Sequence, residues 1–489
     1  MTTTKDTMTP AAARTARLGR RSRRGLIMNL SVPQALTLLA AILLVVACVP
    51  TLGVGAAFWV ALLIGGPLTA VALVRYDGFP LVEWSPILWH YLRRKRTRQN
   101  GFRATATPRP AGRLALPGQE ARLVTLTAAD GSVTVHDPWT GGYTAVLRVR
   151  APAFLLLDPE TQEAQVNGWG RVLAGICQSN LISRIQVLEQ CVPDSGDGLR
   201  DYHAQHAHGQ HLSAWAAQNY RDLMDIAGPA GSRSDVLISL TLDSKRCRSL
   251  VRKSGGGHTG ALKVLAGQRR VVEAALAASS LAVEGWLTPA ELAYELRCAY
   301  DPAIRSVLDY TPTAGRNLAS AGPLAVQEHW DYLRTDTAYH CVLWLIEWPR
   351  SLVYPTFLAP LVLTPGIDRR LSLIYEPVPT GKAMKQVQHD KTELISNAHD
   401  RHRLGQVENL ADTDELSDTL QREAEINAGH GDIGYAGLLV VSAPTLDQLT
   451  LAVGAVRQTA IQAGCEARVL AGQQMQAFTA AALPLTRGF

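Results

Sequence analysis

The chain has 489 residues, of which 47% are hydrophobic and 18% charged, with a formal net charge of +6. It is too long for one ordinary domain and too apolar for a disordered tail. Its seven cysteines, at positions 48, 177, 191, 247, 298, 341 and 465, include no CxxC pair. That argues against zinc fingers or a disulfide framework and fits a reducing compartment.

The charge is unevenly spread. Residues 1–24 carry seven Lys/Arg, among them Arg20, Arg21, Arg23 and Arg24, against Asp6 alone. The fifty positions from Gly25 to Val74 hold no charged side chain. Residues 75–113 carry nine Lys/Arg against Asp77 and Glu83, which leaves residues 114–489 at −7. A spanning helix needs about 20 residues, and a charge in hydrocarbon costs several kcal/mol. Residues 25–74 therefore read as a two-helix transmembrane hairpin, near Ser31–Val49 and Gly55–Val74, turning at Pro50-Thr51-Leu52-Gly53. Basic flanks stay on the cytoplasmic side, so the basic tail 1–24 and the large body are expected in the cytoplasm, at the inner (plasma) membrane. Arg20-Arg21 could open an export signal and Val45-Val46-Ala47-Cys48 a lipoprotein box, but the second apolar run that follows opposes both.

Residues 75–118 come next. Gly78-Phe79-Pro80 breaks the chain, and Ser85 with Pro86 offers a helix start. Trp84, Trp89 and Tyr91 precede Arg93, Arg94, Lys95 and Arg96. This pattern reads as an interfacial helix with aromatic anchors and a basic end on anionic headgroups, or as a stop-transfer collar. Membrane flanking already explains the arginines, so direct nucleic-acid binding is disfavoured. Gly101–Gly118, rich in Pro, Arg and Gly, reads as a linker.

The body reads as α/β, more narrowly as α+β plaits: two or three ferredoxin-like β-α-β units with added helices. A first unit is expected over 119–250, with strands at Ser132–His136, Tyr143–Val149 and Arg184–Glu189. Its helix starts at Asp158-Pro159 and is striped by Val166, Trp169, Leu173 and Ile176. A helix over Leu212–Ile226 and a strand over Asp235–Leu242 complete it. A second unit is expected over 251–380, with a capping box at Thr288-Pro289-Ala290-Glu291 and strands at Tyr339–Trp348 and Arg370–Glu376. Residues 381–429 read as a charged helical segment, and 430–489 as a last unit whose helix is striped by Leu446, Leu449, Val453 and Val456.

Recognisable chemistry is sparse. The nearest approach to a phosphate loop is Gly255-Gly256-Gly257-His258-Thr259-Gly260, but Ala261 stands where the lysine belongs and Lys263 comes two places late. Gly381-Lys382-Ala383 has Glu376 in place of the first glycine. His203, His206, His208 and His211 lie close enough to hold a transition metal, or simply form a polar loop. Tyr339, Trp344 and Trp348 offer either a base-stacking platform or, given the intervening apolar residues, ordinary core. No G-x-S-x-G, H-E-x-x-H or H-R-D motif occurs. No cofactor and no enzymatic activity are expected, although a membrane-anchored enzyme with a dispersed site remains an alternative.

Several segments together carry a resemblance: the hairpin with its arginine collar, Asp137-Pro138 to Tyr143, Asn167-Gly168-Trp169-Gly170, Ala299-Tyr300-Asp301-Pro302, Glu328-His329-Trp330-Asp331, Trp348-Pro349-Arg350 and Gln474 to Leu485. The chain resembles actinobacterial membrane proteins of conjugative, type IV secretion-like clusters. In these a two-helix hairpin is joined to a body like the non-catalytic amino-terminal half of the conjugation ATPase. The resemblance implies a scaffold that anchors the motor ATPase. It implies as partners the lipid bilayer, a conjugation-type ATPase and other secretion subunits, with a homo-oligomer left open. A membrane subunit of a type VII secretion system is the alternative.

Overall fold

In the computed structural model, residues 31–488 are described, except 77, 106–111, 151–153, 194–202, 205, 207–212, 231, 280, 311–315, 350–352, 404–409 and 428–430. The basic tail with Arg20, Arg21, Arg23 and Arg24 therefore lies outside the described residues.

The apolar run forms two arms. Helix α1 (Val32–Val60) contains Pro50 and kinks at Gly53, whose φ of 79° is open to glycine. A π-helical turn at Ala61–Gly65 leads to α2 (Gly66–Leu73). The arms run antiparallel. Gln34 Nε2 donates to the Ala72 carbonyl at 2.8 Å, and a Cβ at Gly65 would stand 3.3 Å from Val45. Among the described residues no helix is long and apolar enough to cross a membrane. The pair of spanning helices expected over 25–74 is thus not shown, only a folded-back apolar pair. A two-residue ribbon, β1 (Arg75–Tyr76) with β2 (Phe79–Pro80), then turns the chain into α3 (Leu81–Arg96).

The body is mixed α/β, built on one large antiparallel sheet of thirteen strands among the described residues. Strand β3 (Gly101–Arg103) belongs to its far edge. A first set of elements follows: β4 (Val124–Thr127), β5 (Val133–Asp137), β6 (Gly142–Arg150), α4 (Pro159–Ser179), β7 (Ile182–Pro193), α5 (Ala214–Ala230), β8 (Ser232–Asp243), α6 (Arg248–Lys253), α7 (Gly257–Ala277), β9 (Ala282–Trp286) and α8 (Pro289–Tyr300). After a short helix α9 (Arg305–Tyr310) the same order returns. It runs β10 (Ala325–Glu328), β11 (Leu333–Arg334), β12 (Tyr339–Glu347), α10 (Ala359–Val362), β13 (Asp368–Val378), α11 (Thr380–Arg403), α12 (Leu410–Asn427), β14 (Asp432–Ala443), α13 (Leu446–Gln462), β15 (Glu466–Val469) and α14 (Gln474–Ala482).

Strand pairing makes the repetition explicit. The first set has the order β9-β6-β8-β7, the second β15-β12-β14-β13, all neighbours antiparallel. Numbered along each set, both read 4-1-3-2, the ferredoxin-like order. A hairpin, β4-β5 or β10-β11, extends each set along its first strand. The two plaits are fused edge to edge, because β7 pairs antiparallel with β13 from Cys191↔Arg369 to Ile185↔Tyr375. Equivalent strands meeting antiparallel relate the two repeats by an approximate two-fold axis. The boundary expected at residue 250 cuts across this pairing: β9 closes the first plait by bonding to β6, so residues 251–300 belong with the first repeat and 325–380 with the second.

One sheet face carries two separate cores, one under α4 and α7 and one under α13 and α10. The other face carries a single core shared by both repeats, roofed by α8 and α14, with Tyr300 and Phe478 at a ring distance of 5.1 Å. Part of the expected linker also lies in this core. Leu114 and Leu116 are fully buried, and a Cβ at Gly322 would stand 2.6 Å from the Ala115 carbonyl carbon. Trp344 packs against the shared core and Tyr339 and Trp348 against the one under α13, so this strand is core and not a stacking platform.

Candidate functional site

A set of aromatic and charged contacts joins the apolar arms to the second repeat through α3. At 3.6 residues per turn, Trp84, Ile87, Tyr91 and Arg94 share one side of that helix. Trp84 is buried and lies 6.1 Å from the Trp330 ring, and Tyr91 meets Trp330 edge-on at 5.0 Å. Arg94 Nη1 stands 3.1 Å from Glu328 Oε2, and its Nη2 donates to the Gly472 carbonyl. The Glu328 side chain is fully buried and its other oxygen accepts the Met475 amide at 3.1 Å. Burial pushes the Glu328 carboxyl up, against the pull of that amide and of Arg94. From β15 the Arg468 guanidinium lies over Phe79 at 4.1 Å and over Trp84 at 4.3 Å, two cation–π contacts. Gly472 is required where it stands: its φ is 73°, and a Cβ would meet the Trp330 ring at 2.7 Å.

This divides the residues expected at the membrane interface. Trp84, Tyr91 and Arg94 face the body, whereas Trp89, Arg93, Lys95 and Arg96 remain exposed. Aromatic and cationic side chains suit a lipid interface and a protein groove equally well, so composition alone does not separate the two sides. The sequence offered Glu328-His329-Trp330-Asp331 as a bare motif; the fold gives it a role, as the turn that receives α3.

The other candidates are structural where they can be placed. His203 stacks on Tyr220 with ring centres 4.9 Å apart, while His208 and His211 lie outside the described residues. Among the described residues no group of three or more metal-ligating side chains forms. The glycine run opens α7 with positive φ at Gly255, Gly256 and Gly257, and Ala261 is fully buried inside the helix. His258 Nδ1 bonds the Tyr143 hydroxyl at 2.9 Å, and the His136 ring stacks on Tyr143.

A serine–histidine–threonine string does occur. His340 Nε2 lies 2.8 Å from Thr335 Oγ1 and its Nδ1 lies 2.8 Å from Ser442 Oγ. All three side chains are buried, and burial, seconded by Arg370, pulls His340 down to about 3. Because the Thr335 hydroxyl donates to the Tyr300 carbonyl, its oxygen is left to accept from Nε2–H, and Nδ1 accepts from Ser442. The string ties the β11–β12 turn to β12 and β14.

A cleft of about 340 Å³ opens where the two repeats meet, lined by Asp137, Arg184, Asp243, Arg246, Glu376 and Arg487 among others. Three ion pairs lie in its lining: Arg487 with Asp137 at 2.6 Å, Arg184 with Glu376 at 2.6 Å, and Arg246 with Asp243 at 3.3 Å. Such pairing holds the repeats and the 485–487 segment together.

Residues 230–345 are similar to the family described as EccE, of the type VII ESX secretion system translocon. That segment runs from the start of β8 to β12, through the Glu328–Asp331 turn that receives α3. No curated protein matches the chain. The similarity supports a secretion-system family and favours the type VII reading over the type IV one.

Proposed function

We propose that this chain is a membrane-anchored, non-enzymatic subunit of a type VII secretion translocon, with its arms in the plasma membrane and its duplicated body in the cytoplasm. The similarity of residues 230–345 to EccE carries this reading. Three further observations support it. The run Gly25–Val74 is free of charge and flanked by basic residues. The arms continue into α3, which is clamped to the body by Arg94, Glu328, Trp84 and Trp330. The phosphate-loop-like segment has a buried alanine where a nucleotide-binding loop needs its lysine. The body then acts as a scaffold: two fused plaits offer partners two related surfaces held at a fixed angle.

Deletion of the gene in the native host tests the proposal. Loss of type VII export, restored by the full-length chain, supports it. Unimpaired export together with lost DNA transfer would return the type IV reading to first place.

A further inference from the structure

We propose that the outward side of α3 rests on an anionic phospholipid surface, so that one helix is clamped to the body by one face and to lipid headgroups by the other. The inference deepens the proposed function and rests on its membrane anchorage, but not on the kind of secretion machine.

The geometry separates the two faces. Ile87, Tyr91 and Arg94 point to the second repeat, and Arg94 is committed to Glu328. On the other side Leu88 is 46% exposed, Trp89 58% and Leu92 48%, with Arg93, Lys95 and Arg96 beside them. The Arg93 guanidinium lies 5.6 Å above the Trp89 ring. A half-turn of apolar side chains next to a cluster of cations is the pattern that lies at a headgroup boundary, the rings and leucines dipping in and the cations meeting phosphate.

Charge and continuity identify the occupant. Residues 114–489 carry −7, so the cations of α3 stand out from an acidic body and are not part of a general basic surface. Exposed apolar side chains also occur between the arms and α3, at Leu73, Val74 and Tyr76. A free phosphate would use the cations and leave Leu88, Trp89 and Leu92 bare; a phospholipid uses both. Each cation at an anionic membrane surface contributes about 1 kcal/mol, about a fivefold gain in partitioning.

The test uses the full-length chain reconstituted in vesicles of phosphatidylcholine, with or without phosphatidylglycerol. An environment-sensitive dye is placed on Leu92→Cys, with Leu88→Cys as a second position and the unsubstituted chain as the background for its own cysteines. In vesicles containing phosphatidylglycerol the dye emission should shift to the blue and be quenched by brominated acyl chains. The triple variant Arg93→Glu, Lys95→Glu, Arg96→Glu should lose roughly half or more of that quenching, and so should high salt. Circular dichroism should report an unchanged fold. Equal quenching with and without the anionic lipid, or a water-exposed dye at both positions in both vesicles, overturns the proposal. Failure here leaves the subunit assignment standing, and a chain that proves foreign to the type VII machine leaves this lipid contact standing.

Discussion

Arg94, at the basic end of the helix that leaves the apolar arms, stands 3.1 Å from Glu328 at the end of β10 in the second repeat. The carboxylate is fully buried and the guanidinium is partly buried. Breaking a buried pair costs more than the pair itself contributes, because one charge is left without a partner. Arg94→Ala is therefore expected to lower stability by about 2 to 3 kcal/mol, somewhat under the range for fully buried pairs because the Met475 amide still serves Glu328. Glu328→Gln should cost less. Denaturant midpoints of the purified chain, followed by the fluorescence of Trp84 and Trp330 near the contact, measure both. An Arg94→Ala midpoint equal to that of the unsubstituted chain would mean that α3 is not held by this contact.

Asn167-Gly168-Trp169-Gly170 contains two glycines with opposite expectations. A Cβ at Gly168 would stand 2.6 Å from Ser279 Cβ, while one at Gly170 meets nothing within 4 Å. Gly168→Ala should destabilise by about 1 to 3 kcal/mol through overpacking. Gly170→Ala should stabilise by about 0.5 to 1 kcal/mol, since alanine loses less backbone freedom in a helix. Thermal unfolding of the two variants, compared side by side, decides the matter; shifts of the same sign would contradict the packing of α4 on α7.

His340 makes the fold sensitive to acid. Its folded pKa is about 3 against an ordinary value of 6.5. Between those values the unfolded chain binds a proton that the folded one refuses, so stability is fully present above about pH 6.5 and falls as the pH drops toward 3. The slope from this residue is on the order of 1.4 kcal/mol per pH unit. His340→Gln should flatten that part of the profile while lowering stability at neutral pH, because Thr335 and Ser442 lose a partner. A stability–pH curve of unchanged slope in the variant would show that His340 is not the group responsible.

How far the sequence reveals this fold depends on how local each signal is. The helix starts were legible because their caps lie within one turn: Asp158 accepts the Thr161 amide, and Thr288 and Glu291 form the reciprocal box. Pairing of β7 with β13 was not, because it joins segments far apart in sequence. Gln186 and Gln190 on β7 look like surface residues. They are buried, donating respectively to backbone carbonyls at the end of α14 and to Glu295. The site was half legible. Trp84, Trp89, Tyr91 and the cations could be found from their chemistry, but only the fold shows which of them face protein.

The glycine run at the start of α7 should not support catalysis. Ala261 is buried in the helix, and the nearest lysine, Lys263, is on the helix surface. The purified chain is expected to show no ATP turnover in a coupled assay. Turnover that survives purification and is lost in Lys263→Ala would overturn the non-enzymatic reading.

The most direct measurement is a tagged pull-down of the full-length chain from mildly solubilised membranes of the native host, with mass spectrometry of the proteins recovered. Membership of a type VII translocon requires that other subunits of that machine come with it, in similar amounts from wild-type and Lys263→Ala protein. Recovery of a conjugation-type ATPase instead, or of the chain alone across several detergents, would contradict the account.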